Sequence, residues 1–215
     1  MINKGLLLCA CLLYSTTSMA ESTIKIGNFS QKNLDGWEVK SFKGDTQYQL
    51  IQQQKKFVLQ ASSHGTASGL FHHVNIDLNT TPYLHWSWKI QETLKNEHER
   101  TKQGDDFVAR VYVVFSGGIF FWQTRAINYV WSNDQSVGST WGNPYSDHAR
   151  MMVLESGNEY AGMWRMENRN IQKDYQRLFG ENMDSVDAIA IMTDTDNTGA
   201  SAQAWYGDIW MDAAL

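Results

Sequence analysis

The sequence predicts an all-β protein, an antiparallel β-sandwich of jelly-roll type with one short helix. Three observations predict it. Apolar residues alternate with a period of two through most of the chain, the pattern of a pleated strand. The alternating stretches are short and separated by turn residues, without the intervening helices of an α/β fold. Nine Trp, nine Tyr and nine Phe occur in 215 residues, and aromatic side chains favour strands.

The chain opens on an export signal. Lys4 supplies a positive start, residues 6–13 a short apolar core, and Ser18-Met19-Ala20 a small-residue cleavage site, so residues 1–20 read as a signal peptide cut after Ala20. Residues 21–215 then form a single β-sandwich domain exported to the periplasm. Both cysteines, Cys9 and Cys11, fall inside the signal, so disulfides, thiolate nucleophiles and cysteine metal sites are excluded from the mature chain. The first strands are expected at residues 24–29, 37–42, 56–61 and 69–77. At 84–90, Leu84, Trp86, Trp88 and Ile90 share one face and His85, Ser87 and Lys89 the other, as in a strand half in water. A polar run over 92–106 reads as a solvated excursion. Residues 107–115 are apolar on both faces, with Arg110 in their midst, and read as a central strand. Further strands are expected at 120–122, 126–131, 149–155, 162–167, 186–193 and 204–211. The helix spans 171–179, with Asn170 as its cap, Gly180 at its stop, and Ile171, Tyr175, Leu178 and Phe179 facing inward.

Charge and motif content remove several function classes. The formal net charge is −5, and cleavage removes only Lys4 among charged side chains, so no basic footprint for nucleic acid or anionic lipid exists. The longest apolar run is about half of what a membrane-spanning helix needs. The six histidines form no zinc-binding spacing, and His72-His73, adjacent on a strand, point to opposite faces. Serine elbows, phosphate loops and dinucleotide fingerprints are absent from the sequence.

Polar clusters supply the candidate residues. Asp105 and Asp106 enter the central strand ahead of Arg110, a pairing that reads first as a structural strut and secondly as a ligand-binding group. Asp194-Thr195-Asp196-Asn197-Thr198-Gly199 matches the start of a calcium loop, with Asp208 as a candidate extra ligand, but Trp205 stands where an EF-hand needs its glutamate. A capped polar turn explains the same residues. Glu167-Asn168-Arg169 with Asp174 is expected to fix how the helix docks. Most tryptophans read as core, whereas Trp122 and Trp141, beside Gly-rich or polar loops, are the candidates for an exposed stacking platform.

Five ordered motifs carry a family resemblance: Gly104-Asp105-Asp106 running on to Phe115, Asn128-Tyr129-Val130-Trp131, the helix from Asp174 to Gly180, the segment from Ala190 to Gly199, and Tyr206-Gly207-Asp208-Ile209. With them the chain resembles the bacterial exported family known as domain of unknown function 3047. The resemblance implies a periplasmic sandwich similar to carbohydrate-binding and galactose-binding-like domains, and it brings no reaction or catalytic set. The expected function is non-catalytic binding of a glycan or similar polar envelope component, with Asp105, Asp106, Arg110, Asp174, Trp122 and Trp141 as ligand-binding candidates. Structural calcium at Asp194, Asp196 and Asp208 is the one cofactor that the sequence suggests. A glycan hydrolase or lyase using paired carboxylates and a protein-interaction module of the envelope are the alternatives.

Overall fold

A computed structural model describes residues 23–116 and 124–213. The export signal, both cysteines, the strand expected at 120–122 and Trp122 lie outside the described residues. Two seven-stranded sheets pack face to face. The first runs β1 (Ile24–Gly27), β14 (Ile209–Asp212), β6 (Tyr83–Ile90), β13 (Ser201–Tyr206), β4 (Lys56–His64) and β3 (Gln47–Gln53), with β11 (Arg165–Asn170) on the other side of β6. The second runs β2 (Trp37–Lys43), β5 (Ala67–Asp77), β12 (Ser185–Met192), β7 (Arg110–Phe115), β8 (Arg125–Ser132), β10 (Ser146–Ser156) and β9 (Thr140–Asn143). The β-sandwich expected from the alternation is the fold observed. Its antiparallel pairing has one exception among the described pairs, since β10 runs parallel to β8. The chain leaves β8, forms β9 at the sheet edge and returns between the two.

The core follows from the period of two. Leu84, Trp86, Trp88 and Ile90 on β6 are fully buried, whereas Ser87 and Lys89 between them reach the outer face. Across the sandwich, the Trp86 ring lies 5.4 Å from Tyr129 and the Trp88 ring 6.0 Å from Trp131, so alternate positions of β6 meet alternate positions of β8. Tilted and edge-on aromatic pairs of this kind add to the stabilisation from buried area.

The helix α1 (Ile171–Phe179) has the caps expected of it. Asn170 Oδ1 accepts from Lys173 N–H at 3.0 Å, and Gly180 closes the last turn at φ 75°, a left-handed conformation that glycine adopts without strain. Ile171 and Tyr175 are buried against the core, with Leu178 and Phe179 partly buried beside them.

Four sequence expectations need correction. Residues 204–211 form two strands rather than one. Gly207 N–H bonds to Ser87 O and a Cβ there would strike Ser87 Oγ, while Asp208 turns aside to Ser30. The central strand begins at Arg110 instead of residue 107, because the preceding backbone is taken up by contacts with Asp194. Strand β3, which reads Gln47-Tyr48-Gln49-Leu50-Ile51-Gln52-Gln53, escaped a search for apolar alternation because its outward positions are mostly amides. The excursion at 92–106 is anchored rather than solvated: Glu99, 1% exposed, accepts from Ser132 Oγ, Asn133 N–H (2.9 Å) and Asn133 Nδ2 (2.8 Å). A carboxylate that meets three donors can be buried within an otherwise polar run.

Candidate functional site

Most of the acidic residues singled out in the sequence converge beside β7. Arg110, 2% exposed, donates through Nε to Asp194 Oδ1 at 2.8 Å and through Nη2 to Asp194 Oδ2, a bidentate pair. Its Nη2 also meets the Asp105 carbonyl oxygen, and Nη1 stands 3.5 Å from Asp105 Oδ1. Asp106 serves a different partner, accepting from the N–H groups of Asn197 (3.2 Å) and Thr198 (2.6 Å) and so capping the aspartate-rich turn. Arg110 thus takes its bidentate partner, Asp194, from another strand, while Asp105, suggested by the short sequence spacing, adds a longer contact and Asp106 makes none with it. Burial pushes the Asp194 carboxyl up to about 8; Arg110 opposes the rise, and Asp106 and Asp105 reinforce it. The knot is closed: Asp106, Arg110 and Asp194 are each at most 2% exposed, so a ligand cannot reach them without opening the fold.

One oxygen from each of Asp106, Asp194 and Asp196 lies within 4.8 Å of the others. Asp208 does not join them. It accepts from Ser30 N–H at 2.7 Å and Ser30 Oγ at 2.5 Å, beside a separate depression that also includes Lys25 and Trp210. A hard cation such as calcium needs six to eight oxygen ligands. Here both oxygens of Asp194 face Arg110, both of Asp106 accept backbone N–H groups, and the Lys43 ammonium stands 3.7 Å from Asp196 Oδ2. The donor set fits a capped turn better than a cation cage. The expected result is a melting temperature that is the same in EDTA and in millimolar calcium; a rise with calcium that EDTA reverses would assign a metal to this group.

The remaining candidates fall elsewhere. Asp174 is bound bidentately by Arg169, at 2.8 and 2.5 Å, and accepts from Tyr129 Oη at 2.7 Å, which ties α1 to β11 and β8 as the sequence suggested. Trp141 is no open platform. One side stacks on Phe107, with centroids 6.4 Å apart, and the Arg100 guanidinium lies 4.8 Å from its ring centroid. With Val130, Met151 and Val153 it completes a small second cluster outside the second sheet.

The open surface with binding chemistry is the outer face of the first sheet, which the sequence reading did not identify. Lys89 on β6 is paired with Trp205 on β13, Trp205 with Gln60 on β4, and Gln60 with Gln49 on β3. Trp164 immediately precedes β11 and lies on the far side of Lys89, whose Nζ is 4.4 Å from the Trp205 ring centroid and 5.3 Å from that of Trp164. Lys89 to Gln49 crosses three strand spacings, roughly 14 Å. A second row, Gln203, Ser62 and Gln47, runs alongside. It borders a shallow depression of about 160 Å³ lined by His64, Gln91, Glu92 and Ser201 in addition to Ser62 and Gln203. The signal for Trp205 is present in the chain: it alternates with Ala202, Ala204 and Tyr206, which face the core. Assigning strand tryptophans to the core from their period, without deciding which face each one occupies, hides it.

The family model for a protein of unknown function, DUF3047, matches residues 35–210. The chain belongs to this family. No curated protein matches the sequence. Among solved structures, the family 30 carbohydrate-binding module of a cellulosomal cellulase of Clostridium thermocellum is similar at 10% identity and a TM-score of 0.50, covering 88% of this chain and 96% of that one. A family 29 carbohydrate-binding module is similar at 7% identity and TM-score 0.43, covering 90% of each chain. The module TmCBM61, solved with β-1,4-galactotriose, is similar at 9% identity and TM-score 0.42, covering 88% and 95%. The likeness to the family 30 module shows that the DUF3047 chain shares the β-sandwich fold of that module. Within this DUF3047 member the motifs that carried the resemblance are largely internal: Arg110 meets Asp194 and Tyr129 meets Asp174, so they build the scaffold and leave the outer face to other residues.

Proposed function

We propose that this chain is an exported, non-catalytic glycan-binding domain whose ligand lies across the outer face of the first sheet. The observation that carries the reading is the row Trp164, Lys89, Trp205, Gln60 and Gln49, with a polar depression at its side. A sugar ring presents C–H groups on its faces and hydroxyls on its rim. An indole suits the faces, and amides, which both donate and accept, suit the rim. Trp164 is 41% exposed and Trp205 partly so, which leaves ring surface for such stacking. Fold likeness to a carbohydrate-binding module is analogy and adds support only at the level of architecture. The non-catalytic assignment rests on the same face. A glycosidase needs two carboxyl groups flanking the bond it cleaves, and the row and depression together include one, Glu92. The signal expected at residues 1–20 supports placement in the periplasm.

Replacing Trp205 with alanine is expected to weaken binding of a soluble polysaccharide roughly tenfold, the effect of losing one ring stack. The melting temperature should stay near that of the parent because the indole is partly exposed. Titration calorimetry with parent and variant checks this, and unchanged affinity in a variant lacking both Trp164 and Trp205 would refute the assignment of the face. A second reading, a protein-interaction surface, draws on Met163 (58% exposed), Trp164 and Met166 (74%) along the β11 edge. Binding that depends on Met166 but not on Trp205 would favour it.

A further inference from the structure

We infer that the glycan taken by this face is acidic, a polymer bearing uronate carboxylates, and that Lys89 is the residue that recognises its charge; this rests on the glycan-binding reading above. Four arginines among the described residues meet carboxylates. Arg110 meets Asp194, Arg165 meets Glu155 at 2.5 Å, Arg169 meets Asp174 and Arg125 meets Glu181 at 2.6 Å. Lys89 is half-buried on β6, one strand in from the β11 edge, and no carboxylate among the described residues forms an ion pair with it. Its ammonium is held instead by Gln53 Oε1 at 2.8 Å and by the faces of Trp164 and Trp205. An amide oxygen and two indoles orient a cation without neutralising it.

That arrangement has a chemical consequence. An ammonium partly withdrawn from water and lacking a counter-ion binds an incoming carboxylate more strongly than an exposed lysine would, since less of its hydration must be stripped on binding. Burial also lowers the Lys89 pKa, in keeping with a partly desolvated cation. The two tryptophans fix the distance between the charge and the stacking surfaces, so a ligand that carries a carboxylate on a stackable ring meets both at once. Uronic acids have that geometry: the carboxylate projects from the rim of the pyranose while the faces stay apolar. The neighbours on the track, Gln49, Gln60, Ser62 and Gln203, are uncharged and suit the hydroxyls. Glu92 lines the depression beside the track and would repel a carboxylate, so an acidic chain is expected to extend from Lys89 toward Gln49 rather than toward Glu92.

The test uses the full mature chain and four soluble polymers, polygalacturonate and alginate as acidic probes with galactan and mannan as neutral ones. The expected result is affinity for at least one acidic polymer roughly tenfold or more above that for either neutral polymer, the range of one charge-assisted hydrogen bond. The preference should weaken as salt is raised, and Lys89→Gln should remove it, while Trp205→Ala should reduce binding of every polymer that binds. Melting curves for both variants establish that they fold. Neutral polymers bound at least as tightly as acidic ones, with no change in Lys89→Gln, would overturn the acidic preference and leave the glycan reading in place. Absence of binding to all four by the folded parent would overturn both. Acidic binding that survives Lys89→Gln unchanged would overturn the role of Lys89.

Discussion

Replacing Arg110 with methionine is expected to lower the stability of the protein by about 4 kcal/mol, the cost of breaking a buried ion pair by removing one partner. Methionine keeps much of the volume and stacks acceptably near the Phe107 ring, over which the guanidinium now sits at 4.5 Å. It leaves Asp194 buried with no bidentate donor, in the company of Asp105 and Asp106. Urea unfolding measures the change as a shift in midpoint at constant slope. The experiment also separates strut from site, because the knot lies beside the second sheet and the proposed glycan track on the outside of the first. If the knot is structural, the folded variant binds polysaccharide as the parent does. A variant of parental stability that has lost binding would return the function to Asp105, Asp106 and Arg110.

The two sheets were legible in the sequence because one face of most strands must be buried, and a period of two records that demand residue by residue. The helix was legible for a similar reason: Asn170 and Gly180 satisfy its ends through local chemistry that needs no knowledge of the rest of the fold. What the sequence hid depends on partners distant along the chain. Arg110 stands four residues from Asp106 yet pairs with Asp194, which β12 brings alongside β7. Glu99 looks like part of a solvated run until Ser132 and Asn133 arrive to pair with it. Asp174 makes the helix-docking contact with Arg169 that its place beside Glu167-Asn168-Arg169 suggests, whereas Asp208 turns to Ser30 and not to Asp194. The outer face was missed for another reason. Its residues, Gln47, Gln49, Gln60 and Gln203, are individually unremarkable, and only strand register lines them up with Trp205 and Lys89.

The edge where β11 closes the sandwich sets the expected pH dependence. Inward positions of β11 carry Arg165, Glu167 and Arg169, and Glu167 Oε1 accepts from Trp88 Nε1 at 3.0 Å. Burial raises the Glu167 carboxyl to about 7, with Glu155 adding to the rise and Trp88, Arg165 and Arg169 opposing it. A raised carboxyl binds its proton more tightly in the folded than in the unfolded chain. Between its ordinary value near 4.5 and its folded value near 7, the folded state therefore holds more protons, and stability falls as pH rises through that window. The protein is thus expected to melt higher at pH 5 than at pH 8. Glu167→Gln isolates one share of this effect: the amide keeps an oxygen for Trp88 Nε1 and carries no charge to desolvate. The variant should match the parent near pH 4.5 and exceed it at pH 8 by about 2 kcal/mol, less than the full linkage value because the side chain is only partly buried. Melting curves of both proteins from pH 4.5 to 8 measure it. Parallel curves across that range would mean that Glu167 ionises as it would in water, its charge fully met by Arg165 and Arg169, and that the charged edge of β11 stabilises the sandwich equally in either protonation state.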